Sequence, residues 1–337
     1  MKKTIRILLW AVAALLIAAL TLAVPTGSML SEYKRQWSDW TEDEDALLRL
    51  LVPTAYAEEA PASLPISLTP GMQPNPAAYT ENGYEDDSIR VELEHVVDDE
   101  KKVSWWIARI TVKDASQIRT GIAGNNLDSG KTATLAAMAE KYSAVFAING
   151  DYYINDEAKK SFEYRMGQEI RSKKNATKDI LIIDENGDFH IIIAKPKAEE
   201  QKEIDAILAE HQIINAFTFG PALIKDGDLL TCTYPYNYNP TGGEPRMAIG
   251  QTGPLSYVAV LAEGRGGQSE GVNHQELANF IYDHTDCIQA YNLDGGNSAC
   301  MVLNDLILKG DTKTTKLRNT NDCIYFATTV DPATWSK

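Results

Sequence analysis

The residues best suited to chemistry stand at the ends of apolar runs. Between the runs 287–291 and 299–303 lies Asn292-Leu293-Asp294-Gly295-Gly296-Asn297-Ser298, which offers one carboxylate, two adjacent glycines, two carboxamides and a hydroxyl. A carboxylate at the end of a buried strand suits general acid/base work or metal binding. Paired glycines admit φ > 0 and the close approach of a ligand. The same composition also suits a hairpin turn, since Asp and Gly are turn formers. Three other clusters share this placement: Asn149-Gly150-Asp151, Pro245-Arg246, and Glu263-Gly264-Arg265. Glu276 falls in the first turn of an expected helix, where a carboxylate also suits the helix dipole. Each cluster alone reads as a turn. Four in one domain favour a site built on loops held by a rigid scaffold.

The elements that must position these groups are mostly strands. Residues 89–97 alternate at period two, residues 98–102 form a charged turn, and 103–112 return as a second strand. A helix is expected over 130–142, followed by a buried strand over 143–148 that ends on Asn149. The runs 179–183 and 189–193 flank a hairpin signal, and 200–211 reads as an exposed helix. Further strands are expected at 217–223, 246–251 and 257–262, and an amphipathic helix at 274–284. Strands outnumber helices and come as hairpins, which predicts an α+β fold with a mixed, mainly antiparallel twisted sheet and flanking helices. No internal repeat is present.

The chain has 337 residues, 44% hydrophobic and 23% charged, so it can bury a sizeable core. Its net charge of -15 argues against nonspecific nucleic-acid or anionic-membrane binding. Lys2, Lys3 and Arg6 precede an apolar run over 7–24, the pattern of a signal peptide or membrane anchor. An uncleaved anchor with the bulk of the chain outside the cytoplasm is preferred by the positive-inside rule. Cleavage and secretion is the alternative, with an Ala-x-Ala site at Ala55-Tyr56-Ala57. The organisation expected is therefore 1–24 anchor or signal, 25–83 short helix and Pro/Ala-rich linker, and 84–331 folded domain. The four cysteines lack zinc spacing. In an oxidising compartment, Cys287 and Cys323 could pair across adjacent strands.

Five segments, in order, resemble the phosphodiester glycosidase family. They are Ala147 to Tyr152, Gly220-Pro221-Ala222-Leu223, Pro245 to Gly250, Gly271 to Ala278, and Ala290 to Ser298, spread over residues 85–330. Asn-Leu-Asp-Gly-Gly is the most specific of them. The resemblance implies hydrolysis of a sugar-1-phosphodiester of the N-acetylglucosamine-1-phosphate type, in a surface polysaccharide or glycolipid. Water or a carboxylate would attack the anomeric carbon, and phosphate would leave. Such chemistry asks for a guanidinium to hold the phosphodiester, with Arg246 the first choice and Arg265 the second. It also asks for carboxyl groups near the anomeric carbon, for which Asp151, Glu276 and Asp294 are the candidates. Nucleophile, base and acid stay unassigned among the three, because their separation is not legible in sequence.

Asn149, Asn292 and Ser298 suit sugar hydroxyls or phosphate oxygens, and Gly295 and Gly296 could form an anion-binding nest. No cofactor is required. Asp151, Asp294 and Asn149 could alternatively hold Ca²⁺ or Mg²⁺ through hard oxygen ligands. His274 reads as a surface or capping residue, and His95, His190, His211 and His284 show no partner pattern. The tyrosine-rich loop 233–240 could pave a glycan subsite. No Ser-His-Asp elbow is recognisable. Two other classes stay open: a non-catalytic glycan-binding module and a metal-dependent phosphodiesterase.

Overall fold

The computed structural model describes residues 71–124, 130–151, 162–172, 178–232, 239, 241–266 and 269–335. The expected anchor at 1–24, the short helix expected within 25–83, most of the linker and the tyrosine-rich loop at 233–238 lie outside the described residues. Among those described, no helix is long and apolar enough to cross a membrane.

In chain order the strands begin with β1 (Tyr79–Thr80), β2 (Gly83–Glu85), β3 (Ile89–Asp98), β4 (Val103–Val112), β5 (Ile118–Ile122) and β6 (Ala133–Thr134). Helix α1 (Leu135–Lys141) precedes β7 (Phe146–Asn149), β8 (Phe162–Arg165), β9 (Gln168–Ser172), β10 (Ile180–Asp184) and β11 (Phe189–Ile192). Helix α2 (Lys197–Glu210) leads to β12 (Ile213–Phe217), β13 (Ala222–Lys225), β14 (Asp228–Leu229), β15 (Arg246–Gly253) and β16 (Ser256–Ala262). Helix α3 (His274–His284) is followed by β17 (Gln289–Leu293), β18 (Cys300–Leu303), β19 (Leu306–Lys309), β20 (Asn319–Thr320) and β21 (Asp322–Phe326).

These strands make three principal sheets rather than one. A nine-stranded sheet runs β1-β2-β3-β4-β16-β15-β17-β13-β14, a second runs β11-β10-β12-β8-β9, and a third runs β19-β18-β7-β21-β5. The central ladders are antiparallel, as between β3 and β4 and between β15 and β16, whereas the isolated bridge Gly264–Asp311 is parallel. The first sheet reaches upstream of residue 84 through β1 and β2, and Met72 bridges to Thr328.

Period-two patterning explains how the sheets meet. Ile89, Val91 and Leu93 of β3 are buried while Arg90, Glu92 and Glu94 are exposed, so one face of the strand points inward. That face joins Met247, Ile249, Tyr291 and Leu293 of the first sheet, Leu181, Ile183 and Phe217 of the second, and Phe146, Ile148, Met301 and Phe326 of the third. One helix covers the opposite face of each sheet. Helix α3 lays Leu277, Ala278, Phe280 and Ile281 on the nine-stranded sheet, with Phe280 stacked on Trp105 at 3.7 Å. Helix α1 covers the third sheet through Leu135 and Met138, and α2 covers the second through Ile204. Burying apolar side chains on both faces of three sheets is the main source of stability.

Two expectations change here. The run 217–223 is not one strand: β12 ends at Phe217, and a cis Gly220–Pro221 peptide turns the chain into β13 of another sheet. Cys287 and Cys323 do not pair, since all four cysteines are free. Cys287 packs in the layer under α3, whereas Cys323 lies in β21 under α1, with no shared strand edge.

Candidate active site

The segment 292–298 is not a hairpin turn. Strand β17 belongs to the first sheet and β18 to the third, so this segment carries the chain from one sheet to another. The Gly220–Pro221 turn makes the corresponding crossing from the second sheet to the first. Asn149 ends β7 in the third sheet. Two of the sequence clusters and the Gly220-Pro221 segment therefore lie where the sheets exchange the chain, and the cluster carboxamides tie the crossings together. Asn149 Nδ2 donates to the Asp294 carbonyl at 2.8 Å, and its Oδ1 accepts from the Cys300 N–H at 3.1 Å. Asn292 Nδ2 donates to the Gly220 carbonyl at 2.8 Å. Buried carboxamides placed this way fix the backbone geometry of a site.

Gly150 stands between two carboxylates. Its carbonyl accepts from the Asp294 N–H at 3.4 Å, and a Cβ added to it would lie 2.1 Å from Asp322 Oδ1. Asp322 and Asp151 share Arg165: Nη2 donates to Asp322 Oδ2 at 2.7 Å and to Asp151 Oδ1 at 2.9 Å. Arg165 Nε also donates to Asp322 Oδ2 at 3.0 Å, and the guanidinium lies 4.3 Å over the Phe217 ring. The second Asp151 oxygen accepts from the Thr218 N–H at 3.3 Å. Glu163, buried on the same strand as Arg165, pairs with Arg171. Burial raises the Asp322 carboxyl above its ordinary range against the pull of Arg165, and burial likewise raises Glu163.

Asp294 has a different environment. Burial raises its pKa to about 7, opposed by the nearby Ser298 hydroxyl and by Arg318, and reinforced by the charge of Asp151. Its Oδ2 is shut off from solvent without a hydrogen-bond partner, as are Asn292 Oδ1 and Ser298 Oγ on the same segment. The Ser298 hydroxyl is therefore near enough to favour the Asp294 carboxylate without completing a well-formed hydrogen bond. Buried polar atoms are nearly always paired. Three unpaired acceptors or donors on seven consecutive residues mark a place built for something other than the fold.

The two arginines expected to hold phosphate differ in what they touch. The Arg246 side chain is buried; Nε donates to the Val272 carbonyl at 3.0 Å, and Nη2 to the carbonyls of Asn239 at 2.6 Å and Gly242 at 3.3 Å. Nη1 meets His274 Nε2 at 3.1 Å. Burial, then the charges of Arg246 and Lys178, lower the His274 pKa to about 3, so its imidazole is neutral and Nε2 accepts. Burial also lowers Arg246 itself to about 10. The bidentate fork expected of Arg246 is thus spent on the 239–242 loop and α3, leaving its charge to act on Asp294 through space.

Arg265 adopts φ +64° and is tied by Nε to Glu244 at 2.7 Å and by Nη1 to Asn297 Oδ1 at 2.5 Å and Asp311 at 3.1 Å. Its Nη2 lies 3.0 Å from where a Gly296 Cβ would sit. Gly296, at φ +58°, admits that approach where a side chain would block it.

Other expectations are corrected by these contacts. The Gly295–Gly296 nest is not free to hold an anion: the Gly296 N–H donates to the Pro245 carbonyl at 2.8 Å, and Gly295 serves the Asp294 carboxylate. Glu276 is exposed and closes the capping box of α3, accepting from the Asn273 N–H at 2.8 Å. It lines a recess with Trp105, Asp98 and His284 instead of joining Asp294. His274 is buried, not a surface residue. The hard-oxygen cation site expected from Asn149, Asp151 and Asp294 does not match the arrangement, because Arg165 already occupies Asp151 and Cys300 takes the Asn149 oxygen.

Arg165, Glu163 and Asp322 went unnoticed in the sequence. Glu163 and Arg165 are two apart on a strand and so share a face, which is the signal that charges on an otherwise apolar strand are paired. Asp322 opens an apolar strand much as Asp294 follows one.

The model of the phosphodiester glycosidase family matches residues 142–327, which include Asn149, Asp151, Arg246, Arg265, Asp294 and Asp322. A SPbeta prophage-derived uncharacterized protein, YomE, of Bacillus subtilis is 32% identical over 104 residues, covering 31% of this chain and 16% of its own length. The chain thus spans about a sixth of that curated relative. The zebrafish N-acetylglucosamine-1-phosphodiester alpha-N-acetylglucosaminidase catalytic domain, auto-inhibited by its pro-peptide, shares the fold. It superposes with a TM-score of 0.55 at 15% identity, over 77% of this chain and 87% of that domain. A hypothetical protein from Synechocystis gives a TM-score of 0.47 at 14% identity, over 71% of this chain and 62% of its own.

Proposed function

The chain belongs to the phosphodiester glycosidase family, and from that premise we propose that it is a hydrolase that cleaves a sugar-1-phosphodiester of the N-acetylglucosamine-1-phosphate type. The substrate would be a surface polysaccharide or glycolipid met outside the cytoplasm, with residues 1–24 as the anchor or signal. The observation that carries this reading is Asp294: a carboxyl titrating near neutral pH, with a buried unpaired oxygen, beside two other unpaired polar atoms. A group whose pKa lies near the working pH exchanges protons most effectively.

In this reading water adds to the anomeric carbon as the C–O bond to phosphate breaks. The proton of that water passes to the Asp294 carboxylate, and the phosphate leaves as a monoester anion that needs little protonation. Arg265 and the buried charge of Arg246 favour the anionic group, and Asp151 acts through Arg165 as a positioning residue. Asn292 Oδ1 would accept from a sugar hydroxyl, and the Ser298 hydroxyl would donate to a sugar or phosphate oxygen.

Hydrolysis of an N-acetylglucosamine-1-phosphodiester in ¹⁸O-labelled water tests the reading. Label in the released sugar is expected. Label in the phosphate would mean P–O cleavage and a phosphodiesterase. Saturable binding without turnover, for this and other sugar-1-phosphodiesters, would mean a glycan-binding module.

A further inference from the structure

Away from the candidate active site, on the second sheet, two histidines converge on one carboxylate. Asp184 ends β10 at a register shift against β12, His190 lies in β11, and His211 caps the C-terminus of α2. His190 Nε2 is 2.9 Å from Asp184 Oδ2, and His211 Nδ1 is 3.1 Å from the same oxygen. The three donor atoms all lie within 4.8 Å of one another. Glu185 Oε1 stands 3.5 Å from His211 Nδ1, while its other oxygen accepts from the Gln212 N–H at 2.7 Å.

We propose that Asp184, His190 and His211 form a binding site for a divalent transition metal of the zinc class, with solvent completing its coordination. The geometry is close to what such an ion requires. Tetrahedral zinc with bonds of about 2.0–2.1 Å sets its donors about 3.3 Å apart, close to the 2.9 and 3.1 Å that separate Asp184 Oδ2 from the two imidazole nitrogens, which stand within 4.8 Å of each other. The His211 Nδ1 is buried and makes no hydrogen bond of proper geometry, although it faces two carboxylates. Such an atom is a donor in search of an acceptor or a lone pair in search of a cation.

The supporting contacts are also those of a metal centre. Asp184 Oδ1 is held by the N–H groups of Asn186 at 2.8 Å and Asp188 at 2.9 Å, which leaves Oδ2 as the single ligating oxygen. Asp184 is fully buried while the two imidazoles are 27% and 29% exposed at their side chains, which gives an ion a path from solvent. Two imidazoles select zinc, cobalt, nickel or copper over calcium and magnesium. An ion here would fasten the end of α2 to the β10–β11 hairpin, so its effect is on stability and not on the proposed hydrolysis.

The test is titration of the full chain, stripped with chelator, with Zn²⁺ and with Co²⁺. One equivalent is expected to bind, cobalt should show visible tetrahedral absorption, and the unfolding midpoint should rise. His190→Gln and His211→Gln should each weaken binding by on the order of 100-fold or more, with His284→Gln as the unaffected control. Millimolar Mg²⁺ or Ca²⁺ should not displace the ion. On the wild-type protein, which needs no variant to fold, Zn²⁺ should shift the imidazole NMR signals of His190 and His211 and leave those of His95 and His284 in place. Undiminished binding in both variants, shifts confined to other histidines, or no binding at all would overturn the proposal.

Discussion

Two buried charged centres meet at Gly150, and they are solved in opposite ways. Around Arg165, two aspartates share one guanidinium, and a backbone N–H and an aromatic face complete the shell. Around Asp294, the carboxyl has no guanidinium at contact distance among the described hydrogen bonds, and neighbouring polar atoms stay unpaired. Charges taken from water are retained in a fold when each is compensated. The first centre meets that condition through its guanidinium, although Asp322 Oδ1 makes no hydrogen bond, and so reads as scaffold. The second does not, and its cost is borne by the scaffold beside it, as expected where stability is exchanged for reactivity.

The comparison breaks most sharply at Arg165. Replacing it with Gln leaves Asp151 and Asp322 buried without a cation, and loss of one partner of a buried pair costs about 3–5 kcal/mol. Arg165→Gln should unfold at markedly lower urea concentration than the wild type. An unchanged midpoint would mean that the network is not structural. Asp294→Asn should do the reverse, lowering turnover by about 10²–10⁴-fold while folding at least as stably, measured by steady-state kinetics and denaturation on the same preparation. Full turnover in that variant would remove Asp294 from the chemistry.

Gly150 is the joint between the centres. Alanine there would press on Asp322 Oδ1 and disturb the carbonyl that receives the Asp294 N–H. Overpacking of this kind costs about 1–3 kcal/mol. A double-mutant cycle of Gly150→Ala with Asp294→Asn should show non-additive stability, since contacting residues couple. Strict additivity would mean that the two centres are independent.

How much of this was legible in the sequence divides along the same line. Period-two burial gave the β3–β4 ladder, and the apolar stripe gave α3 with both ends in place. Asn149, Asp151 and Asp294 stood out because polar residues interrupt apolar runs there, and the structure draws them together. The three-sheet arrangement was hidden, because period two tells which face of a strand is buried but not which strand lies beside it. That is why 292–298 resembled a hairpin. Glu276 was overvalued since a capping carboxylate and a catalytic one look alike in sequence. Asp322 and the pair His190–His211 were undervalued because their partners are brought together only by the tertiary fold.

The smallest expected effect is the pH dependence of stability, read as the difference that Asp294 alone makes. Asp294 has a folded pKa of about 7, above the ordinary carboxylate range. A raised carboxyl pKa means that the folded state holds its proton more tightly than the unfolded chain. Its contribution is fully present below the ordinary range near pH 4 and is lost as pH rises through about 7. Asp294→Asn removes that dependence. The variant should match the wild type in relative stability at acidic pH and gain on it between about pH 4 and 7, by about 1–3 kcal/mol. Carboxyls held below their ordinary range, such as Asp86 and Glu244, act oppositely but are common to both proteins and cancel in the difference. Chemical denaturation of the pair at half-unit intervals measures it. A difference that stays flat, or that favours the wild type as pH rises, would mean that the folded state does not hold the Asp294 proton, and Asp294 would lose its role as a group poised near neutral pH.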